Sequence, residues 1–404
     1  MAGPTADRPV RPRNRRALIA QAAGRAFSER GYHAVGMDDI AASVGITAAA
    51  LYRHFPNKYA LFAHCANALA DGLVETLDQL GDAADLEAIL RALARTTVAN
   101  RASGGIYRWE ARYLDEHDRA KLRMTFGRVV ARVAAAVSTA REAQGGAPAT
   151  AEPEVRLATA GALGAIGSAT AHHTTIGARR LETLLTDAAR RVALAPLEGR
   201  VDVTVGAELN GGEAHSAAPA TSRREQILRA AVPLFYRDGY AEVSMSEIAE
   251  AVGLTPSGLY RHYAGKADIL EAACLQAADV LQAAAHRGLV GASSPRAAVH
   301  ALARAYVGYS FEHTALTSVA LSELGGLPPQ TQRPLRALQR DHVGLWEQQL
   351  RAARPELDGT DARVLVHSAF GVVHEAGRAM RWQDSPASRA RMITLVLAAL
   401  GIDP

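Results

Sequence analysis

The stretch Thr47–Lys58, TAAALYRHFPNK, returns as Thr255–Lys266, TPSGLYRHYAGK, 208 residues further on. Around it, residues 15–58 align without a gap on residues 223–266, and about 20 of these 44 positions are identical. A repeat spaced at about half of a 404-residue chain makes the protein two homologous halves in series. The late helical stretches align as well, residues 156–166 on 363–373 with Gly164 on Gly371, so the duplication covers the whole unit.

Inside each repeat the pattern is helical. Met37, Ile40, Ala41 and Val44, and again Met245, Ile248, Ala249 and Val252, recur at one-face spacing. Each run stops at a glycine, Gly45 or Gly253, suited to the left-handed residue after a helix. A second helix opens on an N-cap threonine, Thr47 or Thr255, with Pro256 at the first helical position of the second copy. Ser244 and Glu247 make a capping box; the first copy has only Gly36 at that place. Helix, glycine turn, helix is a helix-turn-helix. The helix after the turn should run about nine residues, and a long helix should follow from Lys58 to about Leu80.

These residues carry a close resemblance to the TetR family of bacterial transcriptional regulators. The first half matches at Phe27, Gly31, Tyr32, Ile40, Ala41, Val44, Gly45, Leu51, Tyr52, His54, Phe55 and Lys58. The second matches at Phe235, Gly239, Tyr240, Ile248, Ala249, Val252, Gly253, Leu259, Tyr260, His262, Tyr263 and Lys266. The resemblance implies an all-α chain of two tandem units, each a three-helix head on a helical-bundle body for ligand binding and dimerisation. It also implies a ligand-responsive regulator, most simply a repressor, on a double-stranded DNA operator. The expected boundaries are a flexible arginine-rich arm over 1–12, heads over 13–70 and 222–283, bodies over 71–195 and 284–404, and a linker over 196–221.

On DNA, the N-terminal positions of the second motif helix face base edges. Here they are Thr47, Ala48 and Ala49, and Thr255, Pro256 and Ser257. None can make a bidentate base contact, so methyl contacts and DNA shape should carry the direct readout. The resemblance gives phosphate contacts to Tyr52, His54 and Lys58 in one head and Tyr260, His262 and Lys266 in the other. Phenol, imidazole and ammonium donors near a helix end suit phosphate oxygens. Arg53, Arg261 and Ser246 join them, as do Arg13, Arg15 and Arg16 before the first head and Arg223 and Arg224 before the second. Upstream of a helix-turn-helix, an arginine-rich start reads as an arm for phosphate or minor groove, or as the solvated start of the first helix. Leu51 and Leu259 read as core. Because the two motif helices differ, the operator should be an imperfect palindrome.

Glycine, alanine, serine and proline dominate residues 196–222, and 27 such residues span roughly 30 Å, enough for the halves to lie side by side. The halves then form either an internal pseudo-dimer or a homodimer between chains. Small residues mark one helix of the first body, Gly161, Ala162, Gly164, Ala165, Gly167 and Ala169, as ordinary packing or as one side of a helix–helix interface.

An unknown small-molecule effector would meet Trp109, Tyr113 and Phe126 in the first body, with Tyr107, His172 and His173 nearby. In the second it would meet Tyr306, Tyr309, Trp346, His367, Phe370 and His374, with Phe311 nearby; each is also a fair core residue. His367 and His374 lie two turns apart with no third ligand at matching spacing, so no metal is expected. No cofactor motif and no nucleophile, phosphate-loop or zinc-hydrolase motif occurs, which leaves nothing on which to build an enzyme. Two cysteines, Cys65 and Cys274, cannot form a disulfide framework and read as small buried residues. With no apolar run of membrane length and no secretory signal, the expectation is a cytoplasmic protein. The competing reading is an adaptor with one degenerate head, since the first motif helix is alanine-rich. Against it, Tyr52, His54, Lys58 and the arginine arm are all present.

Overall fold

The computed structural model describes residues 15–102, 113–145, 152–172, 174–197 and 222–403, and every regular element among them is a helix. Arg13, Tyr107, Trp109, His173 and the expected linker lie outside the described residues. The chain forms two compact units. One takes residues up to Gly72 with Asn100–Thr125; the other takes Leu73–Ala99 with Phe126–Pro404.

The first unit holds α1 (Arg15–Arg30), α2 (Met37–Ser43), α3 (Ala48–Tyr52) and the start of α4 (Lys58–Leu80). Ile19, Ala23 and Phe27 of α1, Ile40 of α2, Leu51 of α3, and Leu61 and Phe62 of α4 are all buried, so one face of each helix supplies the core. Phe27 meets the Phe62 ring edge-on at 5.5 Å. The turn between α2 and α3 depends on Gly45, whose φ of 66° lies where a side chain is strained. The Ile46 amide then reaches back to the Ala41 carbonyl at 3.0 Å. Asp39 returns its carboxylate to the Gly36 amide at 3.0 Å, supplying half of the capping box that glycine lacks. The helix α3 spans five residues, not nine. After it, the His54 amide closes a tight turn on the Leu51 carbonyl, and Pro56 disfavours helix at the residue before it.

In the second unit the motif returns as α9 (Arg223–Asp238), α10 (Met245–Ala251), α11 (Pro256–Tyr260) and α12 (Lys266–Leu289). Ser244 and Glu247 form the full capping box, and Gly253 turns at φ 65°. This head does not end at its own helices. Phe235, Ile248, Leu259 and Ile269 share one core with Leu316 and Val319 of α14 (Thr314–Ser322) and with Leu335 of α15 (Pro329–Ala353).

The rest of the second unit comprises α5 (Leu86–Ala99), most of α6 (Glu116–Ala143), α7 (Glu152–Gly167), α8 (Ala178–Ala193), α13 (Pro295–Glu312), α16 (Gly359–Ala379) and α17 (Pro386–Leu400). The pair α7 and α8, from the first half, packs on α16 and α17, from the second, as a four-helix bundle. The crossing is closest at two glycines. A Cβ on Gly164 would stand 2.4 Å from the Gly371 carbonyl oxygen and 3.1 Å from Glu375 Cβ. A Cβ on Gly371 would stand 2.3 Å from the Gly164 carbonyl oxygen and 3.1 Å from Ser168 Cβ. These contacts are reciprocal: each glycine meets its own repeat partner and the residue four positions further along the chain. That is the geometry of a two-fold axis between non-identical halves. The small residues of α7 therefore serve an interface between the halves of one chain.

Ion pairs close both ends in the same symmetric sense. Arg180 of α8 is bonded to Asp361, in the first turn of α16, and Arg391 of α17 lies 3.6 Å from Glu154, in the first turn of α7. Both carboxylates sit where a helix dipole favours negative charge. Arg191 extends the seam by donating to the Ala398 and Ala399 carbonyls at 2.9 Å, satisfying the open end of α17. No helix among the described residues is long and apolar enough to cross a membrane.

Candidate nucleic-acid interface and effector site

Thr47 accepts the Ala50 amide at 3.2 Å and Thr255 accepts the Gly258 amide at 3.1 Å, so each threonine caps its helix with its side chain. Thr47, Ala49, Tyr52 and Arg53 are exposed in one head, and Ser246, Thr255, Pro256, Ser257, Tyr260 and Arg261 in the other. Ala48, His54 and His262 are half-buried. Leu51 and Leu259 are fully buried while the neighbouring Tyr52 and Tyr260 are 49% and 53% exposed. A leucine held in the core thus turns a tyrosine outward beside the motif helix, twice. Each outward phenol is a hydrogen-bond donor beside the motif helix, of the kind that meets phosphate oxygens.

The lysines are placed differently. Lys266 donates to the Ala241 and Val243 carbonyls at 2.9 and 2.7 Å and sits over the Tyr240 ring. Lys58 points at the His33 carbonyl at 3.4 Å and lies over the Tyr32 ring. Burial pushes both ammonium groups below the usual lysine range. Each therefore ties the loop after the first helix to the start of the fourth, a role inside the head that the repeat alone did not reveal. The arginines before the heads also turn inward. Arg224 stacks on Tyr263 and donates to the His262 carbonyl; Arg223 donates to the Val252 carbonyl at 3.0 Å; Arg16 lies over the Phe55 ring. Arg15 is half-buried at the start of α1.

Of the expected effector residues, Tyr113 belongs with the first head, stacked against Tyr32 at 5.9 Å and edge-on to His33 at 4.7 Å. The Tyr59 hydroxyl, which donates to Asp118 at 2.7 Å and accepts the Asp115 amide at 3.0 Å, ties α4 to the same segment. Phe126 is half-buried on α6. Tyr309 is core: its hydroxyl donates to the Ala277 carbonyl at 3.2 Å. His374 lies on α16 with Nε2 4.0 Å from Glu375, and His367 stacks on His172 at 4.3 Å across the seam between the halves.

Tyr306, Trp346 and Phe370 do converge. Phe370 stacks on Tyr306 at 4.3 Å and meets Trp346 edge-on at 5.5 Å. His342 joins them: it stacks on Phe370 at 5.8 Å and accepts the Trp346 indole N–H at Nε2, 3.1 Å away. The sequence reading missed His342, although it stands one helical turn before Trp346 on the same face. Burial raises the Cys65 and Cys274 thiols to about 12, as expected of core residues.

Two three-helix heads, each with a glycine turn and an outward tyrosine beside the motif helix, define a tandem helix-turn-helix protein. Residues 19–65 and 227–273 both match the family of bacterial regulatory proteins called the tetR family, so the chain carries the TetR head twice. It is 40% identical over 65 residues to the HTH-type transcriptional activator FasR of Mycolicibacterium smegmatis, covering 16% of this chain and 30% of that protein. It is 44% identical over 72 residues to the HTH-type transcriptional regulator TtgR of Pseudomonas putida, covering 18% and 32%. The chain thus spans about a third of the length of these curated relatives. Among solved structures it is similar to a TetR-family transcriptional regulator from Bordetella parapertussis, at 23% identity and TM-score 0.40, over 43% of this chain and 93% of that one.

Proposed function

We propose that the chain is a ligand-responsive transcriptional regulator that binds one operator with two unlike heads held by a built-in pseudo-dimer. The observation that carries this reading is the reciprocal Gly164–Gly371 crossing, which pairs the late helices of the two halves of one polypeptide with two-fold geometry. A chain that carries two heads can engage two half-sites of one duplex. Their exposed helix starts differ, Thr47-Ala48-Ala49 against Thr255-Pro256-Ser257, so the half-sites should differ too. Tyr52, Arg53, His54, Tyr260, Arg261 and His262 are the proposed phosphate contacts, and repression by occupying the operator is the simplest action. The described helices are compatible with a cytoplasmic protein that works without a metal or cofactor.

The test is the mass of the complex between the purified chain and the duplex upstream of its own gene, by sedimentation at moderate salt. One chain per duplex supports the reading. Two chains per duplex would put the pairing between chains. Loss of binding on changing Tyr260 but not Tyr52 would support the adaptor with one degenerate head.

A further inference from the structure

The outer face of α15 carries three exposed arginines, Arg333, Arg336 and Arg340, on the side away from the buried Leu335 and Trp346. At helical spacing they share an arc of about 60° and cover about 10 Å of the axis. Among the described residues none of the three has an ion-pair partner. The carboxylate on the same side, Glu347, is taken by Arg363 at 2.9 Å. Asp341 follows Arg340 in sequence but lies about 100° round the helix. Like charges three and four positions apart repel, so this face gains nothing from the fold itself.

Arg336 is aimed as well as exposed. Its guanidinium donates to Gln332 Oε1 at 2.9 Å, and the Gln332 amide in turn donates to the Gly325 and Leu327 carbonyls at 3.2 and 2.7 Å. A neutral amide orients the guanidinium without cancelling its charge. Leu327 and Leu335 belong to the core of the second head, together with Leu259 of α11, so the stripe is set on that core.

The first half has no such stripe. The helices α6 and α15 begin at Glu116 and Pro329, and in that register the buried Leu122 falls on the buried Leu335. Arg141 falls on Arg354, and each donates to a carbonyl at the end of the last helix of its own half. The stripe positions are then Ala120, Arg123 and Gly127, and Arg123 is paired at 3.2 Å with Glu116, where the second half has Pro329.

We infer that Arg333, Arg336 and Arg340 bind phosphates of duplex DNA that continues past the half-site of the second head. The inference rests on the proposed operator binding and extends the DNA interface outside both matched heads, on one half of the chain only. Guanidinium forks fit phosphate oxygens. One strand passes a phosphate every ~3.4 Å of duplex axis, so a stripe of this length meets about three. Double-stranded DNA fits this face better than a protein does. No large apolar side chain of α15 is exposed, whereas protein interfaces are anchored by such groups.

The test compares the full chain with the variant Arg333→Gln/Arg336→Gln/Arg340→Gln on the duplex upstream of its own gene, in two lengths. The short duplex ends with the base pairs that the variant protects from hydroxyl radicals; the long one runs well past them on both sides. Fluorescence anisotropy over a range of salt reads the affinity. On the long duplex the variant should lose about 2 to 3 from the slope of log affinity against log salt, since each phosphate contact adds ~0.9. On the short duplex parent and variant should agree, and the parent's footprint should extend past the variant's. Arg179→Gln/Arg190→Gln/Arg304→Gln removes the same charge from other exposed positions of the second unit and should keep the parent's slope. Equal slopes for parent and stripe variant on the long duplex, an equal loss on both lengths, or the same loss in the control would each overturn the inference. If the parent binds the short duplex and the stripe makes no difference, this inference falls and the regulator reading stands. If the parent binds neither duplex at low salt, the regulator reading falls.

Discussion

Gly164 and Gly371 meet backbone to backbone, each leaving no room for a Cβ against the other's carbonyl oxygen. Two helices from opposite halves approach this closely only because neither carries a side chain at the crossing. The approach lets Ala158, Ala162, Ala165, Ala369, Val372 and Ala376 bury fully around it.

Gly164→Leu should therefore destabilise the second unit by at least about 1–3 kcal/mol, the usual cost of overpacking, with backbone in the way instead of a movable side chain. Gly127→Ala is the control: it sits in a helix and its new Cβ would meet nothing within 4 Å. That change should be neutral or stabilise by up to ~1 kcal/mol. Urea unfolding of the three proteins checks both expectations; equal midpoints for the parent and Gly164→Leu would remove the crossing from the account.

Tyr52→Ala and Tyr260→Ala act on exposed side chains and should change stability by less than about 0.5 kcal/mol. Each should weaken operator binding about tenfold and uniformly across sequences, as phosphate-side contacts do. Fluorescence anisotropy with a labelled duplex, repeated at several salt concentrations, reads the effect.

Lys266→Met should behave in the opposite way. Its ammonium bonds two backbone carbonyls, so losing it should destabilise the second head by on the order of 1–3 kcal/mol. Lys58→Met, with one longer contact, should cost less. Hydrogen exchange at the loop after α9 should rise in the first variant, and an unchanged exchange rate would return Lys266 to the DNA surface.

Burial pushes His342 down to about 4, and burial with the Arg363 charge does the same to His367. Both rings fold neutral, and the unfolded chain takes up their protons near 6.5. Folding stability is therefore full above pH 6.5, declines as pH falls towards 4 and levels off below it, each ring contributing on the order of 3 kcal/mol. Denaturant midpoints at pH 7.5 and 5 test the sign, and His367→Asn should flatten the slope.

Much of the head could be read directly. Gly45, Thr47 and Ser244 act through their own backbone or the next turn, and the structure uses them as the local pattern implied. The length of α3 could not be read, because a tight turn ends it where periodicity would have continued. Nor could the roles of Lys58 and Lys266. A lysine beside a helix-turn-helix has the same sequence signature whether it faces phosphate or a carbonyl of its own loop. Tyr113 was assigned to a body and packs on a head, since an aromatic near a loop carries no mark of which core it joins. His342 carries no local mark either: a lone histidine on a helix becomes informative only once a tryptophan donates to it.

By itself the sequence determined the duplication, the helical class and both helix-turn-helix motifs, since repeats, periodicity and caps are local properties of the chain. The tertiary structure decided how the late helices of the two halves pair and which polar groups face inward. Those depend on contacts between residues about 200 positions apart, such as Gly164 with Gly371 and Arg180 with Asp361. No local pattern encodes such contacts; they are fixed only when buried surfaces have to fit each other.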